Sequence, residues 1–99
     1  MKINEMKKVL ARKLKEEGCY FTEKDIEITP YKKGYKIIVG DYTHIPFYLY
    51  AEPYDDYFGY VVSVYDEWSE STIIFVENKT KPDVETALIR LGYHVGVTF

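Results

Sequence analysis

Few side chains in this chain could do chemistry. His44 and His94 are the only imidazoles and Cys19 the only thiol. A metal centre needs three or four ligands at suitable spacing, and the Asp41-Tyr42-Thr43-His44 stretch supplies two at most. Cys19 follows Gly18 with no histidine near it in sequence, so a small buried hydrophobe is expected there rather than a nucleophile. Asp55 with Asp56, and Asp66 with Glu67, are paired carboxylates. Neighbours on a strand point to opposite faces, so such pairs make poor acid–base dyads unless a turn intervenes. No phosphate loop, nucleophile elbow or zinc spacing occurs. Asn78-Lys79-Thr80 matches a glycosylation tripeptide but reads as ordinary helix-entry chemistry. The expectation is a protein that is not an enzyme, with no catalytic residue, cofactor or metal.

What remains is recognition, and charge patterning points to where. The net charge is −3. Met1 to Lys36 holds 10 basic and 6 acidic residues, and the rest of the chain 3 and 10, so the parts carry +4 and −7. Between Ile37 and Asn78 there is no Lys or Arg, yet eight carboxylates lie among seven tyrosines and the one tryptophan. Tyr and Trp anchor interfaces, and complementary charge steers encounter. The expected binding surface is therefore Tyr54, Asp55, Asp56, Tyr57, Asp66, Glu67 and Trp68, presented to a protein partner that is itself basic. The plainer alternative is a solvated acidic face, or one that pairs with the basic first helix of the same domain. Nucleic acid is the competing partner: Lys7, Lys8, Arg12, Lys13 and Lys15 could track phosphates while strand aromatics stack bases. An acidic pI near 5.4 and strands empty of cations weigh against it.

These groups must be held by a small scaffold. Ninety-nine residues make a single domain, 1–99, large enough for one core. From Asn4 to Glu17, Met6, Val9, Leu10 and Leu14 recur at helical spacing, with Asn4 as a cap and Gly18 as a stop. Strand periodicity follows over Asp25–Thr29, Tyr35–Val39, Ile45–Glu52, Phe58–Asp66 and Thr72–Glu77. Pro30 ends the first run, and Pro30 to Gly34 and Pro53 to Tyr57 read as turns. Thr80 and Asp83 resemble a capping box ahead of a second helix lined by Val84, Ala87, Leu88 and Leu91, which Gly92 stops. The alternation of Tyr93, Val95, Val97 and Phe99 suits a sixth strand.

Short connections favour an antiparallel meander. The expected fold is α+β, a largely antiparallel five- to six-stranded sheet with an N-terminal and a C-terminal helix packed on one face. The other face shows Ile38, Tyr48, Tyr50, Val61, Tyr65, Ile73 and Phe75. So much apolar surface calls for a closed sheet or for a second subunit, and a homodimer through the sheet is the favoured expectation.

Composition bears on setting. No apolar run approaches the roughly 18 residues a membrane span needs, and the first residues lack a signal peptide's apolar block. An intracellular location with no membrane partner is expected. The chain has no Gln and only two Asn, with one Cys and two Met. Hot-adapted proteins shed these thermolabile types, so a thermostable protein is expected. With 11 Tyr and abundant Lys, Glu and Ile, the chain resembles, in composition and size alone, the small uncharacterised proteins of filamentous viruses that infect hyperthermophilic archaea, of the lipothrixvirus and rudivirus kind. That resemblance implies a viral accessory factor acting on host machinery, in the host cytoplasm. A regulatory or anti-defence protein of a bacterial phage would look much the same.

Overall fold

A computed structural model describes residues 1–40, 46–54, 59–78 and 84–98, with side chains described for all of these except 51–54, 59–62, 74–78 and 98. Helix α1 runs over Ile3–Glu16 and buries Met6, Leu10 and Leu14 completely. It begins one residue earlier than the periodicity suggests. Lys2, in extended backbone, is the cap residue and makes no side-chain cap, so Asn4 lies inside the first turn. At the other end Gly18 has φ +84°. Its N–H donates to the Lys15 carbonyl at 3.0 Å and that of Cys19 to Leu14 at 2.8 Å, which is the Schellman closure only a left-handed residue allows.

A single 3-10 turn, Glu23–Asp25, then leads into the sheet. It is closed by a capping box in which Asp25 accepts from the Thr22 N–H (2.8 Å) and hydroxyl (3.1 Å).

Five strands follow: β1 Ile26–Tyr31, β2 Gly34–Val39, β3 Phe47–Tyr54, β4 Gly59–Asp66 and β5 Ser71–Asn78. They pair in sequence order, each antiparallel to the next. Both prolines expected to end strands instead lie within them. Pro30 is tolerated because β1 is an edge strand, and Pro53 because β2 pairs β3 no further than Tyr50, leaving that stretch of β3 without a neighbour on one side.

Alternation then sorts the side chains. Ile26, Ile28, Ile37, Val39, Phe47, Leu49 and Val64 share one face and are buried beneath the helices. On β5 the register slips between Val64 and Tyr65, so that Ile73 has no partner of its own and packs against the core. Its expected place on the opposite face is thereby corrected. A bulge inserts one residue and resets the alternation.

Helix α2 spans Val84–Thr98, and this overturns the expected sixth strand. Ala87, Leu88, Leu91 and Val95 are all buried. Val95 thus continues the helical spacing rather than starting a strand's. Gly92 does not stop the helix because its missing side chain is what α1 requires: a Cβ there would lie 2.8 Å from Lys13 Cγ, and one at Gly96 would collide with the Glu17 side chain. Two glycines four apart let the helices approach closely. Tertiary contact outweighs their low helix propensity.

The result is an α+β domain with a five-stranded antiparallel sheet and both helices on one face. No helix among the described residues is long and apolar enough to cross a membrane. The Thr80–Asp83 helix entry lies outside the described residues, as do Asp41 and His44.

Candidate functional site: the open face of the sheet

The expected acidic surface does not assemble in one place. Tyr54 closes β3 and pairs with Gly59 at the start of β4, whereas Asp66 ends β4 and pairs with Phe47. Seven residue steps separate Gly59 from Asp66, about 24 Å in extended chain. Tyr54 therefore stands at one end of the hairpin, and Asp66, Glu67 and Trp68 at the other. Asp55, Asp56 and Tyr57 lie outside the described residues.

The β4–β5 turn is nonetheless well built. Asp66 Oδ1 accepts the Trp68 N–H at 2.9 Å, the Ser69 and Ser71 hydroxyls meet at 2.7 Å, and Glu70 closes the turn at φ +53°. The turn holds Trp68 out in solvent at 76% exposure. Among the described residues no ion pair joins Asp66, Glu67 or Glu70 to α1. The ion pairs of α1 are internal to it: Lys13 meets Glu17 at 3.1 Å and Glu16 at 3.5 Å, and its ammonium lies 5.9 Å from the Tyr93 ring.

What the sheet does assemble is a group of phenols on the face away from both helices. Counting alternately from the buried residues places Thr29 and Tyr31 of β1, Lys36 and Ile38 of β2, Tyr48 and Tyr50 of β3, and Ser63 and Tyr65 of β4 on that face. The register sets Lys36 beside Tyr48 and Tyr48 beside Tyr65. Tyr31 joins them across β2, because the residue between it and Tyr50 is Gly34. A Cβ at Gly34 would strike the Leu49 carbonyl, so the sheet is bare at that point. The Tyr31 ring centre comes to 5.0 Å from that of Tyr48, tilted by 43°, and the Tyr48 and Tyr50 rings lie 6.3 Å apart and nearly parallel. Both distances fall in the range of favourable aromatic pairs. Lys32, held at φ +49° in the two-residue β1–β2 turn, places its ammonium 5.4 Å from the Tyr31 ring centre.

The two carboxylate-bearing and cationic ends of this face differ in charge. Lys32, Lys33 and Lys36 lie towards the β1–β2 turn. Glu67, whose N–H reaches the Pro46 carbonyl at 3.4 Å, extends the β3–β4 pairing by one residue and stands next to the tyrosines at the other end. The Tyr48 phenol is accordingly held above the ordinary tyrosine range, first by loss of solvent, then by the negative charge of Glu67 and by Tyr31 and Tyr50.

Sequence reading missed Tyr31 as a member of this surface, and it placed Glu67 in a binding surface without linking it to Tyr48. Tyr48 and Tyr50 are legible two apart on one strand, but the meeting with Tyr31 depends on Gly34 lying between them in the register. As for catalysis, no group of three or more His, Cys, Asp or Glu side chains that could hold a metal occurs among the described residues. Cys19 is a half-buried free thiol packed against the core, and His94 sits half-buried on α2. No protein-family profile, curated protein or solved structure matches the chain.

Proposed function

We propose that this protein is a non-enzymatic binding module, an accessory factor of a virus or mobile element, that docks a protein partner on the open tyrosine-bearing face of its sheet. The observation that carries this reading is the cluster of Tyr31, Tyr48 and Tyr50, in which the Tyr48 ring pairs with each of the other two on a face that neither helix covers. Phenols offer large, stiff apolar area while their hydroxyls remain in water, which is why tyrosine is enriched at interface centres.

Size supports a role for the turns as well. The sheet spans about 20 Å by 20 Å, a projected area of about 400 Å², whereas a standard interface takes about 800 Å² from each partner. The exposed turn with Asp66, Glu67, Trp68 and Glu70 supplies further surface. Its acids favour a partner whose rim is basic, and its indole is a second anchor. Of the acidic surface expected from the sequence, this reading keeps Asp66, Glu67 and Trp68 at one end of the face and centres recognition on Tyr48.

One observation favours a second copy of the chain as the partner. Lys36 and Glu67 carry opposite charges on the same face, an arrangement that becomes complementary to itself under two-fold symmetry. Photo-crosslinking from position 50 in host extract, together with sedimentation of the pure protein, tests both. The expected result is a discrete protein adduct, or a dimer, that Tyr48→Ala abolishes. A monomer giving no adduct from position 50, or one indifferent to Tyr48→Ala, would overturn the reading.

A further inference from the structure

The helix layer carries a second surface of different chemistry. Beside α1, where the chain turns from Gly18 towards β1, a groove of about 490 Å³ is lined by Lys8, Ala11, Arg12 and Lys15 of the helix and by Tyr20, Phe21, Thr22 and Glu23 of the segment that follows it. Lys8, Arg12 and Lys15 sit at positions i, i+4 and i+7 of the helix, so they form one row with steps of about 6 Å and 4.5 Å along its axis. None of the three makes an ion pair among the described residues: Glu16 and Glu17 are taken by Lys13, and Glu23, though it lines the groove, pairs with none of them. Asp25, close in sequence to the groove, is likewise committed to the Thr22 cap.

The other wall is aromatic. Phe21 turns inward, its ring lying over the Cα of Gly40, whose φ of +55° and lack of a side chain make room for it. That anchors the segment and leaves its neighbour Tyr20 pointing out at 80% exposure. A ring this exposed contributes little to the fold. It stands on a fixed backbone, beside a row of three cations that make no ion pair among the described residues.

We propose that this groove binds single-stranded nucleic acid, with Lys8, Arg12 and Lys15 taking successive phosphates and Tyr20 stacking on an unpaired base. A flat ring beside a cation row is the combination that single-strand binders use, since every base offers a face to stack and the backbone supplies regular charge. A duplex keeps its base faces hidden and leaves Tyr20 without a partner. The net charge of −3 does not oppose this, because surface charges beyond about 10 Å are largely screened at 0.1 M salt, and the groove's own lining holds three cations, Lys8, Arg12 and Lys15, against the one carboxylate of Glu23. The site is separate from the tyrosine face, so either can fail without the other.

The test is fluorescence anisotropy of the intact protein with labelled oligothymidylate and oligouridylate of roughly ten nucleotides, within the usual site size of such binders. Binding is expected to weaken with salt along a logarithmic slope of about −2, from about 0.7 per neutralised phosphate. Tyr20→Ala should lower affinity on the order of tenfold at an unchanged slope, with Tyr20→Phe close to the parent. Replacing Lys8, Arg12 and Lys15 together by Gln should abolish binding, whereas Tyr48→Ala should leave it intact. Circular dichroism melts check that each variant is folded. No anisotropy change at low salt overturns the proposal. So does equal binding of polyphosphate, or of the duplex, that ignores Tyr20→Ala, since that would describe an unspecific anion patch.

Discussion

Tyr48 and Leu49 are neighbours on β3, yet they belong to different worlds. Leu49 is 1% exposed, set between Tyr35 and Val64 on a face lined mainly with aliphatic side chains and part of the core cluster it shares with the helices. Tyr48 is half-buried on the other face, where its ring neighbours are the phenols of Tyr31 and Tyr50. The difference teaches how a small domain divides its work. Aliphatic groups on the covered face supply the stability, at about 1.5–3 kcal/mol for each side chain fully withdrawn from water. The open face holds residues that tolerate water on one side, and it adds rather little to folding.

The sharpest way to break this comparison is to truncate the two neighbours in turn. Leu49→Ala should cost about 2–5 kcal/mol in denaturant unfolding, from lost transfer energy and the cavity left behind. Tyr48→Ala should cost about 1 kcal/mol, the scale of one or two aromatic contacts. Equal losses would mean that the tyrosines are a second core and that the open face is built for stability, not recognition.

The covered face has a further requirement, which is that α1 and α2 lie close enough to seal it. Gly92→Leu should destabilise by about 1–3 kcal/mol, because the added side chain meets the stem of Lys13 near its backbone and must push the helices apart. Unchanged stability would show that the two-helix layer does not need its glycine seam.

These contrasts also mark how far the sequence could be read. Helix α1 was legible because its apolar residues keep one period and Gly18 ends it with a closure only that residue makes easily. The strands were legible for the same reason, and the phenols at positions 48 and 50 declared their shared face. Alternation alone could not tell that Ile73 occupies a bulge, or that Val95 obeys a period of 3.6 instead of 2, because a short apolar run satisfies both. Gly92 misled as a stop signal, since its reason for being glycine lies on another helix. The acidic surface was hard to read for a different reason: nearness along the chain between Tyr54 and Trp68 hides an eight-residue strand that sets Tyr54 and Asp66 at opposite ends of the β3–β4 pair.

The smallest effect concerns how the open face ends. Tyr48 is held above the ordinary tyrosine range, first by loss of solvent and then by the negative charge of Glu67. In the native state this phenol keeps its proton to higher pH than in the unfolded chain. Its contribution to stability is therefore full below about pH 10 and is lost as pH rises through the raised native value. Glu67→Gln removes the negative neighbour, so Tyr48 should ionise at lower pH than in the parent, though still above the free phenol because desolvation remains. The measurement is an ultraviolet titration of each protein with its Tyr48→Phe counterpart subtracted, which isolates one ring among eleven. A downward shift places the acid at the rim of the tyrosine cluster, where a basic partner would meet both together. An identical titration would separate them, and the acidic turn would then have to be treated as a surface of its own.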